Sequence, residues 1–495
     1  MTTGQPLSAR DREFFSLVAQ AIFANPFSDE RVAVDVRLAG IPGPLDDTAA
    51  HERHALFMPR VGARLEELEK LGCGTIAAFS GADRKIIEYA WLFYFFHRHI
   101  EDFDALIQHQ LAAGDEPVAV PFARDLLGAL CGKGFTKKDA LRFMALFYQL
   151  RRAYYFIAKG LVGRSRSMKK LRFALWNNVF THDIGLYERH LWNSMEDFST
   201  LLLGETGTGK GAAAAAIGRS GCIPFNEKKK TFEESFTRTF LAINLSQYPE
   251  SLIESELFGH RKGAFTGAVD NHEGVFSRSS PYGALFVDEI GEVSTPVQVK
   301  LLQVIQERTF SPVGSHAKRR FEGRVIAATN RPLEQARAEG AFRDDFFYRL
   351  SSDVIRVPPL RQRLFEDRGE LDDLLVLLTR RIAGEASTQV IDIARDALGR
   401  HLSPDYAWPG NVRELEQALR RILLTGAYLG EAAPSGEDAK SALFDGIEAG
   451  ALTARQLMSA YCKLLYERFG SYEEVARRTH VDRRTAKKHI DAADH

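Results

Sequence analysis

The spacing of apolar residues changes along the 495-residue chain. From Asp11 to about Leu161, apolar side chains recur every three or four residues, which is the period of an amphipathic helix. From Thr200 onward, short apolar runs alternate with helical segments, and this alternation predicts a parallel sheet with helices on both faces. The predicted strands are Thr200–Leu203, Phe240–Leu245, Ala284–Val287, Val325–Ala328 and Val354–Val357.

These changes of pattern predict five segments. They are an all-helical N-terminal domain (1–162), an α/β subdomain (163–360), a helical subdomain (361–426), a linker (427–450) and a short basic module (451–495). The linker prediction rests on a stretch rich in Gly, Ala, Pro and acidic residues.

Composition and charge limit the classes of protein that remain. The 65 Lys and Arg residues balance the 65 Asp and Glu residues, which excludes a globally basic coat for nucleic acid but not a local basic module. The four cysteines are far apart and form no CxxC pair, so a reducing cytoplasm is the expected location. The most apolar run, Tyr89–Phe96, is too short to cross a bilayer, so we expect no membrane contact.

A glycine-rich loop follows the first predicted strand. Glycines there permit left-handed backbone and close approach to an anion, and successive N–H groups then face phosphate. Lys210 adds a positive charge, and Gly211 stands where a Ser or Thr usually contacts Mg²⁺. This GxxxxGK pattern between strand and helix predicts a P-loop that binds ATP. The candidate nucleotide-binding residues are Gly204, Glu205, Thr206, Gly207, Thr208, Gly209, Lys210 and Gly211.

Two acidic residues end the strand that begins at Ala284. Because the carboxyl ends of parallel strands share one sheet edge, Asp288 and Glu289 are expected beside the P-loop. Asp288 can hold Mg²⁺, directly or through water. Glu289 can orient and deprotonate an attacking water. The pair therefore predicts ATP hydrolysis with Mg²⁺.

A third motif is more specific than either of these. The stretch from Glu254 to Ala268 ends in GAFTGA and resembles the signature of sigma-54-dependent activators, the bacterial enhancer-binding proteins. The resemblance covers about Thr200 to Glu416. It implies an α/β P-loop AAA+ core with a helical lid, a hexameric ring, and contact with the sigma-54 RNA polymerase holoenzyme. The expected contact residues are Gly263, Ala264, Phe265, Thr266, Gly267 and Ala268.

Further residues match the family one by one. Asn244 stands where the family has an asparagine that switches the catalytic glutamate, here Glu289. Asn330 matches the sensor I position, and Arg413 matches sensor II. Arg343 and Arg349 are both candidates for an arginine finger that acts on a neighbouring subunit, and the sequence does not rank them.

The C-terminal module has the pattern of two short helices. Ser471 and Glu474 have the spacing of a capping box, and Asp482 is placed to cap the second helix. The segment resembles the family's helix-turn-helix, with His480 at the turn glycine, and implies binding to enhancer-like upstream DNA. The expected DNA-binding residues are Arg483, Arg484, Thr485, Lys487 and Lys488.

The N-terminal 160 residues resemble no family and lack the acidic strand ends of a receiver domain, so a regulatory role there rests on analogy alone. The resulting hypothesis is a sigma-54-dependent transcription activator with ATPase activity. Two alternatives stay open: an AAA+ motor that remodels a different protein, and a DNA-binding regulator that uses ATP only for assembly. The segment 218–238 is longer and more charged than the family pattern, with an expected effect on ring packing.

Overall fold

The computed structural model describes residues 6–40, 50–403, 405–430 and 453–491. These residues belong to two compact units, Met1–Ala427 and Tyr428–His495. The linker predicted at 427–450 lies outside the described residues from 431 onward. No helix in the described ranges is long and apolar enough to cross a membrane.

A five-stranded parallel sheet lies at the centre of the larger unit. In the described chain the strands are β1 (Thr200–Leu203), β2 (Phe225–Asn226), β3 (Thr231–Phe232), β4 (Phe240–Asn244), β5 (Ala284–Asp288), β6 (Thr309–Phe310), β7 (Arg319–Arg320), β8 (Arg324–Thr329) and β9 (Asp353–Arg356). The central sheet has the order β4-β5-β8-β1-β9. All five predicted strands are confirmed to within one residue at each end. The antiparallel pairs β2-β3 and β6-β7 were not predicted, because two-residue strands are too short to show a period.

Helices cover both faces of this sheet and fill the N-terminal region. In the larger unit they are α1 (Ala9–Phe23), α2 (Asp29–Ala39), α3 (Ala50–Lys70), α4 (Gly81–Arg98), α5 (Ile100–Ala113), α6 (Ala123–Gly132), α7 (Lys137–Gly160), α8 (Arg166–Phe180), α9 (Ile184–Leu186), α10 (Lys210–Gly218), α11 (Glu250–Phe258), α12 (Val275–Arg278), α13 (Thr295–Glu307), α14 (Leu333–Ala338), α15 (Asp344–Leu350), α16 (Leu360–Glu366), α17 (Glu370–Ala383), α18 (Thr388–His401) and α19 (Asn411–Thr425). The last four lie in the stretch after residue 360 in which the pattern predicts only helices.

The N-terminal helices have an aromatic core. Trp91 and Phe95 are buried on α4, and burial of each such side chain stabilises the fold by about 1.5–3 kcal/mol. The longest of these helices, α7, begins after Thr136, whose side chain accepts a hydrogen bond from the Asp139 N–H at 3.1 Å. These helices belong to the same compact unit as the sheet, and α7 packs against α10, the helix that follows the P-loop.

The helix that follows the P-loop, α10, is apolar on nearly all sides. Ala213, Ala214 and Ala216 are fully buried, and Ile217 is 3% exposed. A helix that is apolar all round is normally buried all round. Here the sheet covers one side, and α7 and α8 cover another, with Ala153 and Leu175 in the same apolar cluster. Alanine side chains permit this close approach of α7 to α10.

The smaller unit contains three described helices, α20 (Ala454–Phe469), α21 (Tyr472–Thr479) and α22 (Arg483–Asp491). They enclose a small core to which Cys462, Val475 and Ile490 contribute. Ala486 and Ile490 of α22 point into this core, at 0% and 5% exposure. The N–H of Glu474 donates to the Ser471 hydroxyl, but the Glu474 carboxylate pairs with arginines of its own helix, so only half of the predicted capping box forms.

Candidate functional site

The loop between β1 and α10 has the shape that its glycines predict. Gly207 and Gly209 have φ values of 78° and 106°, which are left-handed conformations that glycine adopts without strain. The Lys210 ammonium donates to the carbonyls of Gly204 and Glu205 at 2.9 Å and 3.2 Å. Burial lowers the pKa of Lys210, while the carboxylates of the neighbouring acidic pair act in the opposite direction. The lysine is therefore held within the P-loop, where its positive charge is expected to contact phosphate.

The helical subdomain packs directly on this loop. A Cβ atom at Gly207 would lie 2.1 Å from the carbonyl oxygen of Gly410, and the Val412 N–H donates to the Gly207 carbonyl at 3.1 Å. The Glu205 carboxylate accepts from the Arg361 guanidinium at 2.7 Å, which lowers the pKa of Glu205. The P-loop is therefore bonded to α16 and to the start of α19.

The acidic pair lies at the expected sheet edge. Asp288 ends β5, and Glu289 follows it in the left-handed region with φ 55° and ψ 46°. A non-glycine residue in this conformation costs on the order of 1–3 kcal/mol and is typical of functional sites. The Glu289 Oε2 accepts from the Asn330 N–H at 3.4 Å, and the Asn330 side chain donates to the Thr206 hydroxyl at 2.8 Å. Asn330 thus connects the acidic pair to the P-loop.

The P-loop and the acidic pair line a cavity of about 450 Å³, a size typical of small-molecule sites, and Asn330 lies outside its lining. The predicted residues that line it are Thr206, Gly207, Thr208, Gly209, Lys210, Gly211, Asn244, Asp288, Glu289 and Arg413. Gly204 and Glu205 lie beside it through their bonds to Lys210. The sequence analysis missed the remaining lining residues, which are Gly160, Leu161, Val162, Met168, Ala212, Ser246, Arg363, Leu374, Leu377, Arg381, Val412 and Glu416.

The missed apolar wall comes from the segment after α7. The carbonyl of Val162 accepts from the Arg363 guanidinium at 2.9 Å, and the Ser165 N–H donates to the Glu370 carboxylate at 2.7 Å. Arg363 and Glu370 are themselves paired at 2.7 Å and almost fully buried. No motif marks this wall, because its residues are apolar and lie far along the chain from their partners.

Asn244 lines the same cavity as Glu289, and the switching role that the resemblance implies for it stays a prediction. Its side-chain oxygen accepts from the N–H and the hydroxyl of Ser246, at 3.0 Å and 2.7 Å. Because Asn244 ends β4 directly beside Asp288 in the sheet, it still lines the cavity. The local turn at Ser246 competes for the amide, which sequence spacing could not reveal.

The two candidate finger arginines do not line the cavity of their own chain. The Arg343 guanidinium pairs with the Asp345 carboxylate at 2.7 Å, and this pairing raises the pKa of Arg343. Arg349 donates to the Ile305 carbonyl at 3.5 Å. Both positions are on or beside α15.

The segment Gly263–Ala268, here called the GAFTGA loop, is a closed turn on the surface. The Gly263 N–H donates to the Ala268 carbonyl at 2.8 Å, and Gly263 and Gly267 have φ values of 80° and 101°. Phe265 and Thr266 are exposed, and the Phe265 ring meets His260 edge to face at 4.9 Å. The two glycines therefore place an aromatic and a hydroxyl side chain at an accessible tip.

Basic side chains line the exposed side of α22. Arg483, Arg484, Lys487 and Lys488 are all exposed, although Arg483 also pairs with Glu473 at 2.9 Å. Thr485 is only partly exposed, and its hydroxyl donates to Asp482. The expected turn at His480 is confirmed, with φ 55° and ψ 30°.

Residues 187–356 match the family described as the Sigma-54 interaction domain. The chain is 45% identical over 230 residues to the Nif-specific regulatory protein of Azotobacter vinelandii, covering 46% of this chain and 40% of the relative. It is 39% identical over 231 residues to the regulatory protein AtoC of Escherichia coli (strain K12), covering 47% of this chain and 46% of the relative. The chain therefore spans less than half the length of these two relatives.

A longer match joins the chain to the transcriptional regulatory protein ZraR of Klebsiella oxytoca, with 36% identity over 341 residues, or 66% of this chain and 67% of the relative. Among solved structures, NtrX from Brucella abortus in complex with ADP superposes with a TM-score of 0.41 at 18% identity, over 74% of this chain and 80% of that one. Because the sequence match with ZraR extends over two thirds of that protein, the chain belongs to the sigma-54-dependent activators, the bacterial enhancer-binding proteins of the AAA+ class.

Proposed function

We propose that this protein is a transcription activator that hydrolyses ATP to remodel the sigma-54 RNA polymerase holoenzyme. One observation carries the proposal. The segment between β4 and β5 contains the GAFTGA loop, and both of these strands end in residues that line the cavity, Asn244 and Asp288. A conformational change at the bound nucleotide can therefore be transmitted along the chain, through α11, to the exposed GAFTGA loop, which does not line the cavity.

The cavity supports ATP as the substrate. Lys210 and the first N–H groups of α10 face the place where phosphates are expected, and Leu161 and Val162 supply an apolar wall. Asp288 is the residue that would hold Mg²⁺, and a bound Mg²⁺ neutralises charge on the phosphate oxygens. Glu289 would orient and deprotonate the attacking water.

Assembly into a ring, with a hexamer as the family's form, would complete this site. Arg343 and Arg349 lie away from the cavity of their own chain, as a finger that acts on a neighbouring subunit requires. An arginine supplied in this way stabilises the charge that develops on the γ-phosphate. Among the described residues Arg349 makes one long hydrogen bond, to a carbonyl, whereas Arg343 is engaged by Asp345, so Arg349 is the freer of the two to reach a partner.

The smaller unit is the proposed DNA-binding domain. We assign α21 and α22 as a helix-turn-helix whose second helix presents Arg484, Lys487 and Lys488 to the major groove of an upstream site. The helices of residues 1–162 are proposed to regulate the ATPase, with residues 163–360 as the α/β subdomain, 361–426 as the lid and 427–450 as a linker. In this division, regulation, ATP hydrolysis and DNA binding are each assigned to a different part of the chain.

The proposal is tested with the full chain, ATP, and sigma-54 holoenzyme on a supercoiled sigma-54 promoter. We expect Mg²⁺-dependent ATP turnover and ATP-dependent formation of open complexes. Turnover without promoter opening would support a motor that acts on a different protein. DNA binding and nucleotide-dependent assembly without turnover would support a regulator that does not use hydrolysis. Either result would reject the proposed function.

A further inference from the structure

The N-terminal helix α7 holds the carboxyl end of the P-loop helix α10 with two polar side chains. The Gln149 amide donates to the Ser220 carbonyl at 2.8 Å. The Arg152 guanidinium donates to the carbonyls on either side of it, at 2.6 Å to Arg219 and 2.6 Å to Gly221. Three consecutive carbonyls directly after the last residue of α10 are therefore bonded by two residues that lie one turn apart on α7.

The environment of Arg152 is unusual for a charged group. Arg152 is fully buried, and burial lowers its pKa. Within the described residues no carboxylate pairs with it, and its guanidinium lies 4.3 Å from the centre of the Tyr148 ring. A buried charge without a counter-ion is costly unless hydrogen bonds compensate it. The C-terminal end of a helix favours a nearby cation, and Arg152 finds its compensation there, in the Arg219 and Gly221 carbonyls that follow the last residue of α10.

The segment 218–238 also contacts the N-terminal helical region, at three further places. The Val120 N–H donates to the Lys230 carbonyl at 2.9 Å, next to the end of the β2-β3 pair. The Phe232 ring stacks on Tyr148 with centroids 4.0 Å apart. The Ser235 hydroxyl donates to the Gly114 carbonyl at 2.8 Å. The segment 218–238 therefore contacts the N-terminal helices, and its expected effect on ring packing stays a prediction.

We propose that Arg152 and Gln149 are positioning residues that couple the N-terminal helices to nucleotide binding through α10. The inference rests on the proposed function, because it assumes that the cavity binds nucleotide. At about 1.5 Å per residue, α10 is only some 13 Å long, and so short a helix moves as a rigid body. A shift at Ser220 is then transmitted to the amide groups of Lys210 and Gly211, which face the phosphates. By linkage, nucleotide binding must stabilise the contact with α7 to the same extent.

Arg151 offers a matched control on the same helix. Its guanidinium forms a two-point pair with the Asp104 carboxylate of α5, at 2.7 Å for each bond, and it contacts neither α10 nor the cavity. Replacement of either arginine by lysine keeps the charge and removes the forked geometry. A general weakening of the N-terminal helices would appear in both variants, whereas weakening of the α7–α10 contact would appear only in Arg152→Lys.

The test compares full-length wild type, Arg152→Lys, Gln149→Met and Arg151→Lys. The dissociation constant for MgADP is measured by calorimetry, with kcat and KM for ATP and the unfolding midpoint without nucleotide. We expect Arg152→Lys to weaken MgADP binding about tenfold, since it removes hydrogen bonds from a charged group to buried carbonyls. Gln149→Met should weaken binding about threefold, because it removes one neutral bond to the Ser220 carbonyl. It also removes the hydrogen bonds between Gln149 and the Tyr187 hydroxyl, which do not reach α10. Arg151→Lys should bind as wild type does.

Amide hydrogen exchange supplies the readout that a merely structural role would not change. MgADP should slow exchange along α7 in wild type and in Arg151→Lys, and should fail to do so in Arg152→Lys. Wild-type affinity in both Arg152→Lys and Gln149→Met, or an equal weakening in Arg151→Lys, would overturn the inference. If Arg152→Lys does not fold, Gln149→Met decides the question alone. Failure of the wild type to bind MgADP would instead overturn the proposed function, and the inference with it.

Discussion

Glu289 and Asn330 are joined by a hydrogen bond across the carboxyl edge of the central sheet, from the Asn330 N–H to the Glu289 Oε2 at 3.4 Å. The Asn330 side chain reaches in the other direction, to Thr206 in the P-loop. The glutamate is thus held in a strained backbone conformation and connected to the loop that is expected to contact phosphate. This relationship places the proposed base where a change in the phosphates can be sensed.

Replacement of Glu289 by glutamine should separate binding from hydrolysis. The amide keeps the shape and can still accept the bond from Asn330, but it cannot take a proton from water. We expect ATP binding to persist and turnover to fall by about 10²–10⁴-fold, the usual contribution of a positioned base. Steady-state turnover and equilibrium binding measure the two quantities. Near-normal turnover would remove Glu289 from its proposed role.

Two glycines of the P-loop should respond in opposite ways to alanine. At Gly207 a Cβ atom would collide with the Gly410 carbonyl, and the left-handed backbone alone costs an alanine about 1–2 kcal/mol. At Gly211 a Cβ atom meets nothing within 4 Å, and the residue lies inside α10, where alanine is favoured over glycine by up to about 1 kcal/mol. Thermal unfolding should show a lower midpoint for Gly207→Ala and an equal or higher one for Gly211→Ala. The reverse order would contradict the packing of the lid on the P-loop.

The tip of the GAFTGA loop should be required for promoter opening but not for ATP hydrolysis. Phe265 and Thr266 are exposed and absent from the cavity lining. We therefore expect Phe265→Ala and Thr266→Ala to keep most ATP turnover and to lose both the binding of sigma-54 in a transition-state-like nucleotide complex and promoter opening. Val269→Ala is the matched control, because Val269 is 70% exposed just beyond the loop. A parallel decrease in turnover and output would show that the loop is structural.

The basic side of α22 should determine how DNA binding depends on salt. The slope of log K against log salt becomes shallower by roughly 0.9 for each phosphate that the protein no longer neutralises. Replacement of both Lys487 and Lys488 by alanine should therefore reduce the magnitude of this slope by about 2. Arg477→Ala is a suitable control, since the Arg477 guanidinium pairs with Glu474 at 2.6 Å on α21. An unchanged slope in the double variant would count against the helix-turn-helix assignment.

The local patterns of the chain were sufficient to predict the central strands and the residues that follow them. Alternation of apolar runs and helices defines the strands because burial of a parallel sheet requires continuous apolar segments. Left-handed glycines define the P-loop, and carboxylates after Val287 fix the acidic edge, since parallel strands share their carboxyl ends. These features depend on residues that are close together in the sequence, so the sequence alone is sufficient to predict them.

The finer contacts depended on residues that are distant in the chain. The resemblance implied that Asn244 switches Glu289, but only the fold shows that the side-chain oxygen of Asn244 accepts hydrogen bonds from Ser246. The apolar wall at Leu161 and Val162 carries no motif. Its position is fixed by the buried Arg363–Glu370 pair some two hundred residues later.

The sequence by itself thus determined the P-loop, the acidic strand end, the GAFTGA loop and the terminal basic helix, because each is a short pattern with a local physical cause. Only the tertiary structure decided what surrounds them. The sequence does not reveal which helix packs on the alanines of α10. It also does not reveal what the segment 218–238, which is longer than the family pattern, contacts. In the fold, α7 packs on those alanines, and Arg152 binds the carbonyls where α10 ends. Such contacts follow from the folding of the whole chain, since their free energy comes from burying groups that the sequence keeps far apart.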